Sequence, residues 1–302
     1  MNLYLKYRPT EFKQIIGNEE TIEYLENILP SKKRPHVFLL HGPSGCGKTT
    51  LARIIANSLE VSNMDFIEIN SADFRGIDTV REMIRNSSYH SIGGKDRLWI
   101  IDEVHKATID AQNALLKLLE DTPKNAYYVL CTTDPEKLLK TVRGRCIQLK
   151  VQELEEKQMY RLLKKVVKSE GEKIDSEVYE TIIRDSFGSP RNALQILDKV
   201  LAVSDKSRVK VAEQAAVEYI DSIQLCRDLI KGSSWNIIRS HLRKLKKQDS
   251  ESIRRHILGY SQSILLNEKN DRAAFLIEQF YEPFYNVGFP GLVYACYTVI
   301  RN

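Results

Sequence analysis

Residues 36–59 read HVFLLHGPSGCGKTTLARIIANSL: an apolar run, a glycine-rich loop and a stretch of helical period in immediate succession. Within it Gly42, Pro43, Ser44, Gly45, Cys46, Gly47, Lys48 and Thr49 fit the pattern G-x-x-x-x-G-K-[ST]. Glycines at 42, 45 and 47 let the backbone curl so that its N–H groups face phosphate oxygens. The helix expected from Thr50 to Leu59 adds the positive end of its dipole. Lys48 is then set to reach the β- and γ-phosphates, and the Thr49 hydroxyl to ligate magnesium, with Thr50 beside it. The strand–loop–helix context separates this stretch from an ordinary glycine-rich turn. It predicts a nucleoside triphosphate site.

Outward from the loop, short apolar strands are expected at Phe66–Asn70, Leu98–Ile101, Tyr127–Thr132 and Ile147–Lys150. They alternate with helices at Asp78–Asn86 and Ile109–Leu119. That alternation means a parallel sheet covered on both faces, with ligands beyond the carboxyl ends of its strands. Asp102 and Glu103 follow the strand LWII directly. Carboxylates at a buried strand end need a cation or a hydrogen-bonded pocket. Beside a phosphate loop, Asp102 would hold magnesium, and Glu103 would orient and polarise the attacking water. Ahead of the sheet, Tyr7, Arg8 and Pro9 with Ile15, Ile16 and Gly17 can fold over a flat apolar ligand such as adenine. A surface arm with two core isoleucines fits the pattern as well. A one-faced helix follows at Glu19–Leu29.

From Glu153 the strands stop. Helices are expected at Glu153–Ser169, at Ser176–Phe187 before Gly188, and at Arg191–Val200 after an N-cap at Ser189 and a first-turn proline at Pro190. Arg191 sits where the helix dipole disfavours a cation, so either a bound phosphate or a surface acid should accompany it. Residues 201–208 are polar and read as a hinge, and residues beyond are helical in period. The basic run Arg243–Lys247 reads as a solvated helix face. The tail's surplus of apolar residues suggests packing against other subunits. Three parts result: a nucleotide-binding α/β domain (1–150), a small helical lid (151–205) and an all-helical C-terminal domain (206–302).

A length of 302 residues suits two or three domains. No run approaches eighteen apolar residues, so no membrane partner is expected. The first residues lack a signal-peptide core. None of the five cysteines forms a C-x-x-C pair, and the six histidines lack metal-ligand spacing, which argues against a disulfide framework or zinc module. A reducing compartment, most simply a cytoplasm, follows. The formal net charge of +5 permits nucleic-acid contact without demanding it.

Taken in order, these motifs resemble the AAA+ clamp-loader family, which includes replication factor C small subunits and the bacterial gamma/tau ATPase subunit. The motif resemblance covers residues 4–200; the tail is similar to the family's helical collar in length and character only. YRPTEFKQIIGNEE resembles the opening segment that cradles adenine, which implies Tyr7, Arg8, Pro9, Ile15 and Ile16. NSADFRGIDTVREMI is similar to the family's NASDDRGIDVVR, whose basic residues track template phosphates, here Arg75 and Arg81. AQNALLKLLED resembles the helix whose basic residue also faces DNA, here Lys117, and DEVHK matches the bacterial acidic motif.

In VLCTTDPEKL the spacing favours Thr133 over Thr132 as the sensor of the γ-phosphate. GSPRNALQIL is similar to the second sensor, carried by Arg191. Gly144-Arg145-Cys146 stands where the family has Ser-Arg-Cys, which implies an arginine finger at Arg145, with Arg143 a neighbouring candidate. The chain lacks the four-cysteine insertion and long C-terminal extension of bacterial subunits, which points to a compact viral or archaeal type.

The resemblance implies ATP and Mg2+ as ligands, and a pentamer of this chain, related subunits or both. That assembly would open a sliding clamp and place it on primer–template DNA, in bacterial, archaeal or phage-infected cytoplasm. A non-hydrolysing subunit of the same assembly would show a decayed loop or acidic pair, and both are intact here. The alternative is a DNA-translocating motor of the branch-migration type. Such motors usually end in a winged helix, for which the tail shows no strand-period signal.

Overall fold

A computed structural model of the chain describes residues 2–69, 77–87, 96–219, 222–284 and 287–301. The chain forms two compact units, Leu5–Gln158 and Met1–Tyr4 with Met159–Asn302.

The first unit holds strands β1 (Val37–His41), β2 (Phe66–Ile69), β3 (Arg97–Ile101), β4 (Ala126–Thr132) and β5 (Ile147–Lys150). They form one sheet in the order β2-β3-β4-β1-β5, and every pairing is parallel. Leu39 sits opposite Leu130, and Ile100 opposite Val129. Alternate residues of each strand face opposite sides, so a run such as VFLL must be apolar throughout when helices cover both faces. Leu39, Trp99, Ile101, Tyr128 and Leu130 pack on Val80 and Met83 of α3 (Ile77–Ser87) and on Ala111 and Leu115 of α4 (Ile109–Glu120). Phe38, Leu40, Leu98, Ile100 and Val129 face the other way. They pack on Leu25 of α1 (Glu19–Ile28) and on Leu51 and Ile55 of α2 (Lys48–Ser58). The three-layer α/β architecture expected from the sequence is the one found, and strand ends agree to within about a residue.

The second unit is helical: α5 (Glu156–Ser169, within this unit from Met159), α6 (Ser176–Asp185), α7 (Pro190–Leu201) and α8 (Arg208–Tyr219) come first. They are followed by α9 (Ile223–Lys231), α10 (Trp235–Leu245), α11 (Ser250–Asn267), α12 (Asp271–Phe280) and α13 (Gly288–Arg301). Leu225, Leu229, Leu242, Ile257, Phe280, Leu292 and Val299 form the core of the later helices. Arg243, Lys244, Lys246 and Lys247 are exposed around buried Leu242 and Leu245, as a solvated face requires.

One difference from the sequence reading stands out here. Residues 201–208 are not a free hinge, and α8 returns to pack on α6 and α7, adding a fourth helix to the three expected. Arg208 is the pin. It is buried, pairs with Glu172 and Asp205, and donates to the carbonyls of Lys173 and Val203. A charged residue in a polar stretch reads as exposed, but carbonyls and carboxylates around it satisfy a buried guanidinium.

Candidate nucleotide site

The phosphate loop leaves the sheet where β1 ends, between the ends of β4 and β5. Gly42 N donates to Thr132 O (3.2 Å), while Val151 N donates to His41 O (2.8 Å). A β-carbon on Gly42 would fall 1.9 Å from Val151 O, and its φ is +152°, so no side chain fits. Gly47 (φ +100°) precedes α2 as its N-cap, a conformation that an L side chain rarely adopts. Lys48 is buried, and its Nζ donates to Gly42 O (2.8 Å) and Pro43 O (2.7 Å). Burial pushes the Lys48 pKa down, while Cys46, Cys131, Glu103 and Asp102 oppose that shift. Cys46 is buried within the loop, its Sγ 3.7 Å from Ser44 O.

Strand β3 delivers the acidic pair to the same place. Thr49 Oγ1 donates to Asp102 Oδ2 (2.9 Å), and Glu103 N donates to Asp102 Oδ1 (2.9 Å). The two residues expected to hold magnesium are therefore in contact. A hydroxyl and a carboxylate are the hard oxygen donors that this ion prefers, so the residues fit the group. Glu103 has a left-handed backbone (φ 54°, ψ 40°) as it enters a single 3-10 turn, Val104–Lys106. For a residue with a side chain this is a strained conformation of the kind found at functional positions. Glu103 Oε2 lies 3.5 Å from His105 Nε2 and 3.6 Å from Lys106 Nζ.

Of the two threonines ending β4, Thr132 is fully buried, its hydroxyl 2.9 Å from His105 Nδ1 and accepting from Asp134 N (3.0 Å). Thr133, favoured by spacing, is half-buried beside it. Sequence reasoning passed over His105, although DEVHK displays it two residues after Glu103.

The arm also meets the loop helix. Arg8 Nε donates to Thr50 Oγ1 (3.0 Å), and Phe12 and Ile15 pack on the core shared by β1 and α2. Ile15 is only partly buried there, and Tyr7, Pro9 and Ile16 are half-buried as well. A groove of about 500 Å³ between the arm and helices α1 and α2, lined by Thr10–Lys13, Glu26, Asn57 and Ser58, contains none of the phosphate-loop residues.

Arg145 pairs with Glu120 at the end of α4 and donates to Thr141 O (2.8 Å), while Arg143 pairs with Glu136 (2.8 Å). Gly144 has an ordinary helical φ of −66°, and its N–H is bonded to Lys140 O (2.9 Å), so the turn does not use glycine's freedom. Arg191 is exposed in the first turn of α7, in the helical unit; Ser189 caps that helix by accepting from Asn192 N. Arg81 is exposed on α3 and Lys117 on α4, which pack together; Arg75 lies outside the described residues. Arg85, four residues after Arg81, is exposed on α3 as well. The i, i+4 spacing was its available signal.

Two family models match the chain, one described as DNA polymerase III, delta subunit over residues 57–155 and one as Sigma-54 interaction domain over residues 15–82. The chain is 32% identical over 253 residues to the DNA polymerase III subunit gamma/tau of Mycobacterium tuberculosis, covering 76% of this chain and 44% of that protein. It is 35% identical over 220 residues to the DNA polymerase III subunit gamma of Buchnera aphidicola from Schizaphis graminum, covering 66% and 61%. It thus spans about half the length of such relatives. Among solved structures, the Thermotoga maritima RuvB Holliday junction branch migration motor matches with a TM-score of 0.60 at 20% identity, covering 78% of this chain and 85% of that one, a likeness of fold. The chain is a homologue of the gamma and tau subunits of DNA polymerase III.

Proposed function

We propose that this chain is the ATP-hydrolysing subunit of a sliding-clamp loader. The observation that carries the reading is the meeting of Lys48, the Thr49–Asp102 contact and Glu103 beyond the ends of β1 and β3, in a homologue of gamma/tau subunits. Gly42 to Lys48 would cradle the triphosphate of ATP through backbone N–H groups and one buried cation. Thr49 and Asp102 would hold magnesium, which when bound neutralises charge on the phosphate oxygens. Glu103 would orient the attacking water. Thr133 and Arg191 would sense the γ-phosphate, and Tyr7, Arg8, Pro9, Ile15 and Ile16 would enclose the adenine.

Arg145 would reach the ATP of a neighbouring subunit within a pentamer, which requires release from Glu120. The exposed pair costs at most about 1 kcal/mol to break. Arg75, Arg81 and Lys117, joined by Arg85, would contact primer–template phosphates without reading sequence. The three parts proposed are a nucleotide domain, a lid and a collar, working in the cytoplasm.

The test is steady-state ATP hydrolysis with and without primer–template DNA and the cognate clamp. Turnover that rises sharply only with both supports the loader. Full stimulation by DNA alone, with the clamp adding nothing, overturns it in favour of a translocating motor.

A further inference from the structure

His105 has a polar neighbour at each ring nitrogen. Its side chain is only 10% exposed, with Nδ1 2.9 Å from Thr132 Oγ1 and Nε2 3.5 Å from Glu103 Oε2. Thr132 has further ties: its hydroxyl accepts from Asp134 N (3.0 Å) and its carbonyl from Gly42 N (3.2 Å), the first residue of the phosphate loop. One line of contacts therefore runs from Gly42 through Thr132 and His105 to Glu103.

The protons on that line follow from what faces each ring nitrogen. A hydroxyl has one proton and two lone pairs. The Asp134 N–H takes one lone pair, which leaves both the proton and the second lone pair to face Nδ1, so Thr132 can donate there or accept. The Glu103 carboxylate beside Nε2 can only accept. In a neutral imidazole the ring proton then sits on Nε2, facing the Glu103 carboxylate. The other tautomer would aim a bare Nε2 lone pair at that carboxylate, a repulsive contact. Burial, the largest influence, lowers the His105 pKa and favours the neutral ring; Glu103 and Asp134 raise it, and Lys137 and Lys106 lower it. Lys106 also approaches Glu103, but it is 48% exposed, so water screens its hold.

We propose that His105 is a positioning residue for Glu103, and that the Thr132 hydroxyl supports the ring in that orientation by donating to Nδ1. The proposal rests on reading Glu103 as the group that orients the attacking water. A glutamate side chain has three rotatable bonds, and a carboxylate free to wander spends little time on one water. Fixing it contributes to rate through orientation, and a misplacement of about 1 Å can cost about 100-fold.

The experiment compares variants of the full chain, reading kcat for ATP and nucleotide affinity separately. His105→Ala is expected to lower kcat about 10–100-fold while affinity stays within about twofold. His105→Gln can place an amide N–H where Nε2–H stands and should restore most of the rate. His105→Asn reaches only the Nδ1 position and should not. Thr132→Val, similar in shape but without the hydroxyl, should lower kcat, and Thr132→Ser should not. A packing role alone would lower thermal stability and leave kcat unmoved, or treat Gln and Asn alike, and either result overturns the proposal. Glu103→Gln separates the two readings. If it keeps full turnover, the role of Glu103 fails and this inference with it. If it abolishes turnover while His105→Ala is unaffected, only the inference fails.

Discussion

The two units bury polar side chains in different ways. The α/β unit has a closed buried pair, Asp65 with Arg97, but its Lys48, Thr132, His105 and Asp102 come from three strand ends and converge on the mouth of one loop. In the helical unit the buried carboxylates are dispersed, and each ties neighbouring segments together. Asp185 of α6 accepts from Arg184 (2.9 Å) and from Arg227 of α9 (2.6 Å). Asp228 of α9 accepts from Gln224, Ser233 and His241; Glu251 of α11 accepts from Arg254 and Phe284 N. Burial alone would raise these last two carboxyls, but the hydrogen bonds outweigh it and hold both below the ordinary range. Polar burial is thus not in itself a mark of a site. Convergence on an opening marks chemistry, and closed pairs between helices mark stapling.

Removing a charge from each unit should therefore fail in different ways. Lys48→Ala is expected to cut ATP affinity on the order of 100-fold or more, with the thermal midpoint held within about 4 °C. Calorimetry of ATP binding beside a melt checks both halves. Asp185→Ala should do the reverse, losing on the order of 3 kcal/mol of stability in urea while ATP affinity holds. If it erased ATP binding without lowering stability, the division between the units would collapse.

A smaller effect comes from His256, buried in α11 and stacked on Phe187 at 4.8 Å. Burial, helped by Arg255, pushes its pKa from 6.5 down to about 4. The unfolded chain takes up this proton as pH falls through about 6.5, but the folded chain resists until about 4, so stability is lost across that window. Urea unfolding at pH 5 should show about 2 kcal/mol less from this group than at pH 7, and His256→Gln should flatten the difference. The least change is expected at Gly144→Ser. Its φ suits any residue, and the new β-carbon would meet Lys140 O at 3.3 Å. Reduced freedom of the unfolded chain and that tight contact should leave a net change within about 0.5 kcal/mol by urea titration.

The sheet was legible because its signals are local. VFLL, LWII and YVLC are strands buried on both faces, and a glycine-rich loop between strand and helix has few other meanings. The partner of Arg145 was not legible, since Glu120 lies 25 residues away and the two meet only where α4 packs on the helical turn Lys140–Arg143. Nor was the link between Thr132 and His105, which spans 27 residues and depends on β3 and β4 ending side by side. Arg208 misled for another reason. Composition reports charge, whereas burial of that charge depends on carbonyls supplied by the end of another loop.

Gly42 carries one more consequence, for how this chain would tolerate variation. Its missing β-carbon is excluded by the backbone of Val151, so every replacement must part the loop from the end of the sheet. In a saturation library, position 42 should be intolerant whether variants are selected for ATP binding or merely for folded protein. Gly47 faces open space and is constrained by backbone angle alone. Selection for folding should there admit asparagine and aspartate, which accept left-handed angles, before any β-branched residue. Two glycines of one motif would leave different records, one written by collision and the other by torsion.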